Sequence, residues 1–240
     1  IAQAAATAAV QLRGGFRLGV GSGEALNEHI LGDPWPSAGE RLDRLAEAVA
    51  LIRALHRGEE LNHDGRYFRV QDARIYTLPD HRIPIYVSGF GPQATRLAGR
   101  IGDGYCITMP DAERVALFRE AGGGRKPVQA GMKVCWDVDP EFAVDTAHRL
   151  WATEQLPGQL NQIVPRPTDF ASAANLVTRE AVTDAIVCGP DIDAHIQQVG
   201  KYVDAGVDEI YVQQIGPDMD GFFDAWERDV LPEFQTSAYA

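Results

Sequence analysis

Residues 83–109 read IPIYVSGFGPQATRLAGRIGDGYCITM, and glycines divide the stretch into three parts. "IPIYVS" is a short apolar run ending at Gly89, the pattern of a buried strand. "QATRLAGRIG" has apolar residues at helical spacing and stops at Gly102, where a glycine cap is expected. "DGYCITM" (103–109) is a second apolar run of strand length. Strand, turn, helix and strand in this order make a βαβ unit, and such units build parallel sheets.

The same alternation extends in both directions. "FRLGV" (16–20) ends in glycine like the run at 83–88. "VQAGMKVCWDV" (128–138) and "VDEIYVQQIGPD" (207–218) supply two more strands, so strands are expected near 16–20, 83–88, 104–108, 130–136 and 208–213. Ser37 and Glu40 have the spacing of a capping box, ahead of Leu42, Leu45, Val49, Ile52 and Leu55 on one helical face. Further helices are expected over 140–154, 194–206 and 221–234. "LNHDGRYFRV" (61–70) carries Asp64-Gly65 between alternating residues, a hairpin signal. Residues 156–170 are broken by proline and glycine and predict an irregular insertion; "DAIVCGPD" (184–191) fits a short strand or a buried turn.

Five βα units are visible, whereas a (β/α)8 barrel has eight of roughly 30 residues each. The fold class expected is therefore α/β, a TIM-barrel-like domain with insertions. It carries strands 4–8 and lacks the first three units, so residues 1–240 form one N-terminally incomplete domain. A doubly wound open sheet is the alternative, but G-x-G-x-x-G is absent from "GVGSGEA". The start at Ile1, inside an alanine-rich amphipathic pattern, fits a truncated gene product.

Composition narrows the function classes. A net charge of -12, from 34 acidic against 22 basic residues, opposes a nucleic-acid or anionic-membrane surface. No apolar run approaches the ~18 residues of a membrane span, and the first residues lack a basic signal-peptide region. Cys106, Cys135 and Cys188 form no C-x-x-C pair and read as reduced core thiols of a cytoplasmic protein. The six histidines show no metal-ligand spacing, and there is neither a G-x-S-x-G motif nor a P-loop lysine.

The strand exits concentrate the chemistry. Gly21-Ser22-Gly23, Gly89-Phe90-Gly91-Pro92, Gly189-Pro190-Asp191 and Gly216-Pro217-Asp218 each follow an apolar run. In a barrel they share one rim, where glycine lets backbone approach a phosphate-bearing ligand. For any single turn, chain reversal alone explains the glycine; four alike point to a large ligand across the rim. Glu24 follows the first turn, with Asn27 one helical turn on. A carboxylate there serves either a helix N-terminus or proton transfer. Trp35, Phe90, Tyr105 and Trp151 are candidates for ring stacking, with core packing the commoner role.

"LGVGSGEALNEH" (18–29), "DGRYFRV" (64–70), the 83–105 stretch and "IYVQQIGPD" with "GFFDAW" and "VLPEF" together resemble the luciferase-like monooxygenase superfamily. The likeness is greatest to its coenzyme F420-dependent dehydrogenases, the glucose-6-phosphate dehydrogenases among them. The resemblance implies a homodimeric barrel enzyme with deazaflavin in its mouth, exchanging a hydride with a small organic substrate. Glu24 then matches the glutamate that exchanges a proton with the cofactor ring. Asn27 matches an amide that contacts the cofactor, and Ser88, Gly89, Phe90 and Gly91 match the turn that holds its phosphate-bearing tail. Ser22 and Gly23 join them as cofactor-binding candidates at the first exit. The family's catalytic histidine and tryptophan lie in units that this chain does not contain. FMN with oxygen is the alternative cofactor chemistry, and an inactive cofactor-binding remnant the alternative role.

The sugar-phosphate dehydrogenases hold the substrate phosphate with two lysines and an arginine. Pro110 and Asp111, Thr183, and Gly221 and Phe222 stand at those places here, without a cation. The expected substrate is an uncharged alcohol or carbonyl compound, not glucose-6-phosphate.

Overall fold

The computed structural model describes residues 1–13 and 15–234. In chain order its elements are α1 (Ala2–Gln11), β1 (Leu18–Val20), α2 (Ala25–Glu28), α3 (Ala38–Leu55), β2 (Leu61–Asp64) and β3 (Arg69–Ala73). There follow β4 (Ile85–Ser88), α4 (Pro92–Ile101), β5 (Gly104–Ile107), α5 (Ala112–Phe118) and β6 (Val128–Cys135). The remainder is α6 (Pro140–Trp151), α7 (Leu160–Ile163), α8 (Pro167–Ala174), α9 (Arg179–Thr183), β7 (Val187–Cys188), α10 (Ile192–Asp204), β8 (Glu209–Gln214) and α11 (Met219–Ala225). Each of the five expected strands is present, and the 184–191 segment is a strand of two residues.

Contacts divide the chain into two compact units. The first is Ile1–Ser22, Pro36–Ile107 and Asp111–Gln129; the second is Gly23–Trp35, Thr108–Pro110 and the chain from Ala130. In the first, β4 pairs with β1 and β5, both in parallel, with Val20 opposite Val87 and Val87 opposite Tyr105. Ile85, Tyr86 and Val87 are all buried, as strands covered on both faces require. In the second, β6 pairs in parallel with β7 and also with β8, whose following residue Ile215 donates its N–H to Val134 O at 2.8 Å. A mostly parallel α/β sheet is thus confirmed; no closed barrel is found among the described residues.

Helix α3 starts where the capping pattern places it. Ser37 Oγ accepts from Glu40 N–H at 3.3 Å, and Leu45, Val49 and Ile52 are buried along one face. The expected hairpin is also present, with a longer loop: Gly65 N–H donates to Phe68 O, and the strands shift register between Leu61 and His63. Glu47 of α3 pins it, accepting from Tyr67 N–H at 3.1 Å, Phe68 N–H at 3.0 Å and His63 Nε2 at 2.9 Å.

These bonds, the His63 contact foremost, hold the Glu47 carboxyl below the usual carboxylate range. A depressed folded-state pKa means the latch is complete above the ordinary carboxylate range and is lost as pH falls through the lowered value. Hydrogen exchange of the Tyr67 and Phe68 amides, corrected for its intrinsic pH dependence, is expected to stay slow at pH 5–7 and to quicken only in stronger acid. Protection that stays uniform from pH 7 down into that stronger acid would show that Glu47 does not hold the hairpin.

Two local expectations need correction. Residues 156–170 are not irregular throughout: α7 lies inside them and α8 begins there. Pro167 stands in the first turn of α8, where a missing N–H is harmless. Gly102 ends α4 with extended backbone (φ -79°, ψ 155°), not a left-handed cap. It is glycine because a Cβ would lie 2.7 Å from Gly104 O and 2.8 Å from Ala98 O. Gly206 after α10 is the left-handed residue, at φ 83°.

Asp103, in the "GDGY" segment, is spent on structure. It accepts from Arg53 and Arg82 at 3.0 and 2.7 Å and from Ile85 N–H at 2.9 Å, tying the start of β4 to that of β5.

Candidate functional site

Two exits lie side by side in the first unit. Register places the ends of β1 and β4 together, and a Cβ on Gly21 would stand 3.8 Å from Ser88 Cβ. The structure thus brings Ser22 to the end that carries Ser88, Gly89, Phe90 and Gly91. Gly91 is the N-cap of α4, with extended backbone and no side-chain cap; Pro92 follows in the first turn. Nothing lies within 4 Å of a Cβ placed on Gly91. The first-turn amides have no partner inside the helix, and the place a side chain at 91 would take is open.

The two glycines of this turn differ in role. Gly89 is buried, and a Cβ would lie 2.6 Å from Ala94 Cβ, so close packing of α4 on the turn requires it. Its carbonyl accepts from Tyr105 Oη at 2.6 Å, and Thr95 Oγ1 lies 2.9 Å from the same phenol oxygen. Burial pushes the Tyr105 hydroxyl above its ordinary range. A neutral chain from Thr95 through Tyr105 to Gly89 therefore fixes the turn from beneath. Tyr105 thus lies beneath the turn, stacked on Phe118 at 4.9 Å, and is no platform for a ligand ring. Its support of Gly89 was invisible in the sequence, because register alone brings position 105 beneath position 89.

Tyr105→Phe is expected to cost about 1–3 kcal/mol, the range for leaving a buried polar group unsatisfied. Faster exchange of the first-turn amides of α4 should accompany the loss in chemical denaturation. Full stability with unchanged exchange would remove Tyr105 from this role.

Gly23, Glu24 and Asn27 belong to the second unit. Gly23 has φ 76°, a left-handed conformation that favours glycine. Glu24 is the N-cap of α2, yet its side chain makes no cap bond. Its Oε2 accepts from Asn27 Nδ2 at 3.3 Å, and both side chains are exposed. The one-turn spacing is thus realised as a contact, with the carboxylate held outward by an amide. The described residues leave Glu24 exposed. His29 Nδ1 lies 3.1 Å from Ala25 O and 2.9 Å from Leu26 O, a local backbone role.

The other exits follow one rule. Asp191 and Asp218 cap α10 and α11, accepting from the N–H groups of Asp193 and Ala194 and of Gly221. At the positions without expected cations, the neighbouring arginines are already paired. Arg114 contacts the Asp111 carboxylate at 3.0 Å, and Arg179 contacts Glu141 and Asp145 at 2.8 and 3.2 Å. Thr183 donates to Glu180 O, and Phe222 is buried against Trp226.

Comparison with known proteins places these features. The chain is 36% identical over 247 residues to the F420-dependent glucose-6-phosphate dehydrogenase of Microbacterium testaceum, covering 98% of this chain and 73% of that protein. The enzyme of that name from Nocardia farcinica is 34% identical, covering 99% and 75%. Among solved structures, an F420-dependent secondary alcohol dehydrogenase in complex with an F420-acetone adduct superposes with a TM-score of 0.89 at 27% identity, over 98% of this chain and 74% of that one. The coenzyme F420-dependent tetrahydromethanopterin reductase of Methanopyrus kandleri, at 20% identity and a TM-score of 0.76 over 98% and 78%, shares the fold. The sequence model for luciferase-like monooxygenases matches residues 1–209, and the chain belongs to that family.

Proposed function

We propose that this chain is an F420-dependent oxidoreductase acting on a small uncharged alcohol or carbonyl compound. The observation that carries the reading is the open N-terminus of α4 at Gly91, beside the Ser22 and Ser88 exits. It suits a phosphate-bearing cofactor tail: first-turn amides and a positive helix end adjoin a position that no side chain occupies. Ser22, Ser88, Phe90 and Gly91 would hold the tail, with Gly89 shaping the turn. When bound, the deazaflavin supplies a ring carbon that accepts or returns a hydride. The chain supplies proton handling: Glu24 takes or gives a proton, and Asn27 Nδ2 orients its carboxylate.

Names of the relatives support the cofactor; their substrates differ, and the charges near the three positions support a neutral one. A phosphate dianion needs unspent cations, whereas Arg114 and Arg179 are neutralised and Asp218 adds negative charge beside Gly221. The neutral reading therefore ranks above glucose-6-phosphate. One family model spanning both units supports a single domain. We also propose a homodimer, acting in the cytoplasm.

Cofactor choice is tested by titration. F420 is expected to bind saturably, with quenching of its fluorescence, and to raise the melting temperature. A ligand at 100 times its Kd adds about 2.7 kcal/mol. Stabilisation by FMN in place of F420, or by neither, would refute the assignment.

A further inference from the structure

A cavity of about 460 Å³ opens in the first unit, between the end of α3 and the segment that leads into β4. Arg53, His56 and Arg57 line one side and His81 and Arg82 the other, with Leu78, Pro79 and Ile83 as its apolar wall. Ile83 precedes β4 and Gly89 follows it, so the cavity lies at the opposite end of that strand from the exit turn. Its volume falls in the range of small-molecule sites.

The charge runs against that of the chain. The net charge is -12 overall, yet three guanidiniums and two imidazoles converge here, and among the described residues no carboxylate lines the cavity. Asp103 pairs with two of the three arginines, reaching Arg53 at 3.0 Å and Arg82 at 2.7 Å. One carboxylate against three guanidiniums leaves a surplus of two positive charges. Arg57 is wholly uncompensated, since its side chain has no hydrogen bond or ion pair among the described residues. The negative end of α3 is also nearby, but the N–H groups of His56, Arg57 and Gly58 close the carbonyls of Ile52, Ala54 and Leu55.

The walls are held in shape. Arg53 donates to Ile101 O at 2.6 Å besides its pairing with Asp103, and His56 Nε2 donates to Ala2 O at 3.0 Å. Gly58 turns the chain at φ 77°, and a Cβ on it would lie 3.0 Å from Leu78 Cδ1, so the end of α3 packs on the apolar wall. Ile83 is buried with Ala6 and Ala9 of α1. Tethered guanidiniums beside an apolar wall suit an oxyanion carried on a carbon skeleton.

We propose that this cavity is a binding site for a small organic phosphate. The planar forks of the arginines match the phosphate oxygens, and the surplus of two charges matches a dianion. The organic group lies against Leu78, Pro79 and Ile83. The site does not depend on the redox function proposed above.

Phenyl phosphate is the probe, titrated at constant ionic strength so that general screening is unchanged. It is expected to raise the melting temperature saturably and to bind about tenfold more tightly than inorganic phosphate, which has no group for the apolar wall. His81 is exposed, and His81→Gln identifies its imidazole NMR signal among six by its loss. In the wild-type protein that signal is expected to move in step with binding. Arg57→Gln, at an exposed and unpaired position, should keep the unliganded melting temperature. It is expected to weaken phenyl phosphate about tenfold, as for one charge-assisted hydrogen bond. An unmoved His81 signal, or an affinity that Arg57→Gln leaves unchanged, would put the phosphate elsewhere, the open end of α4 included, and overturn the assignment. Equal, weak binding of both phosphates would reduce the site to a patch of surface charge and overturn it as well.

Discussion

Replacing Glu24 with glutamine is expected to lower turnover of the F420-loaded enzyme by about two to four orders of magnitude, the range for loss of a general acid or base. Glutamine keeps the side chain's length and leaves an oxygen for Asn27 Nδ2 to bond at the observed 3.3 Å. Only the capacity to take or release a proton at Oε disappears. A structural explanation of any loss is excluded beforehand by geometry. Glu24 makes no cap bond to α2, α2 has four residues, and the side chain is exposed. Stability is therefore expected to change by less than about 0.5 kcal/mol, as for surface substitutions generally. The two measurements are turnover and thermal midpoint on the same preparation, with F420 affinity alongside. Retained turnover, or a loss matched by weakened folding, would take the proton chemistry away from Glu24.

The sequence made the ladder of elements readable because glycine and proline mark its turns and apolar runs mark its strands. Residues 83–109 contain one complete unit, and the structure reproduces it almost residue for residue. What escaped the reading depends on contacts between distant positions. Gly89 looked like a ligand-facing glycine, yet Ala94 packing requires it and Tyr105 uses its carbonyl. Gly91, two residues on, is the open one, and nothing local to the two glycines separates them. Asp103 sits in a motif that carried the family resemblance, but it braces strand starts through Arg53 and Arg82. Glu24 and Asn27 were legible because their partnership is local, one helical turn long.

Two glycine-to-alanine changes, each inside a helix, are expected to move stability in opposite directions. Exchanging a mid-helix glycine for alanine ordinarily stabilises by about 1 kcal/mol, since the unfolded chain loses freedom. Gly200 in α10 meets that condition: nothing lies within 4 Å of an added Cβ, so Gly200→Ala should gain about 0.5–1 kcal/mol. Gly99 in α4 does not. Its Cβ would lie 2.7 Å from Phe118 O and 3.0 Å from Ala121 O, both backbone atoms on the segment that crosses α4. A flexible side-chain tip can swing aside; these carbonyls move only with the chain. Lys126 Nζ, bonded to Gly99 O at 2.8 Å, further fixes the crossing, and Gly122 adjoins it at φ 107°. Overpacking of this kind costs about 1–3 kcal/mol and occasionally more, which outweighs the propensity gain. Gly99→Ala should therefore be destabilised by about 1–2 kcal/mol, a fall of roughly 2–8 °C in melting temperature for a chain of this size. Measured under one set of conditions, the pair separates local propensity from packing. A rise for both variants would mean that the α4 crossing is looser than its glycines imply.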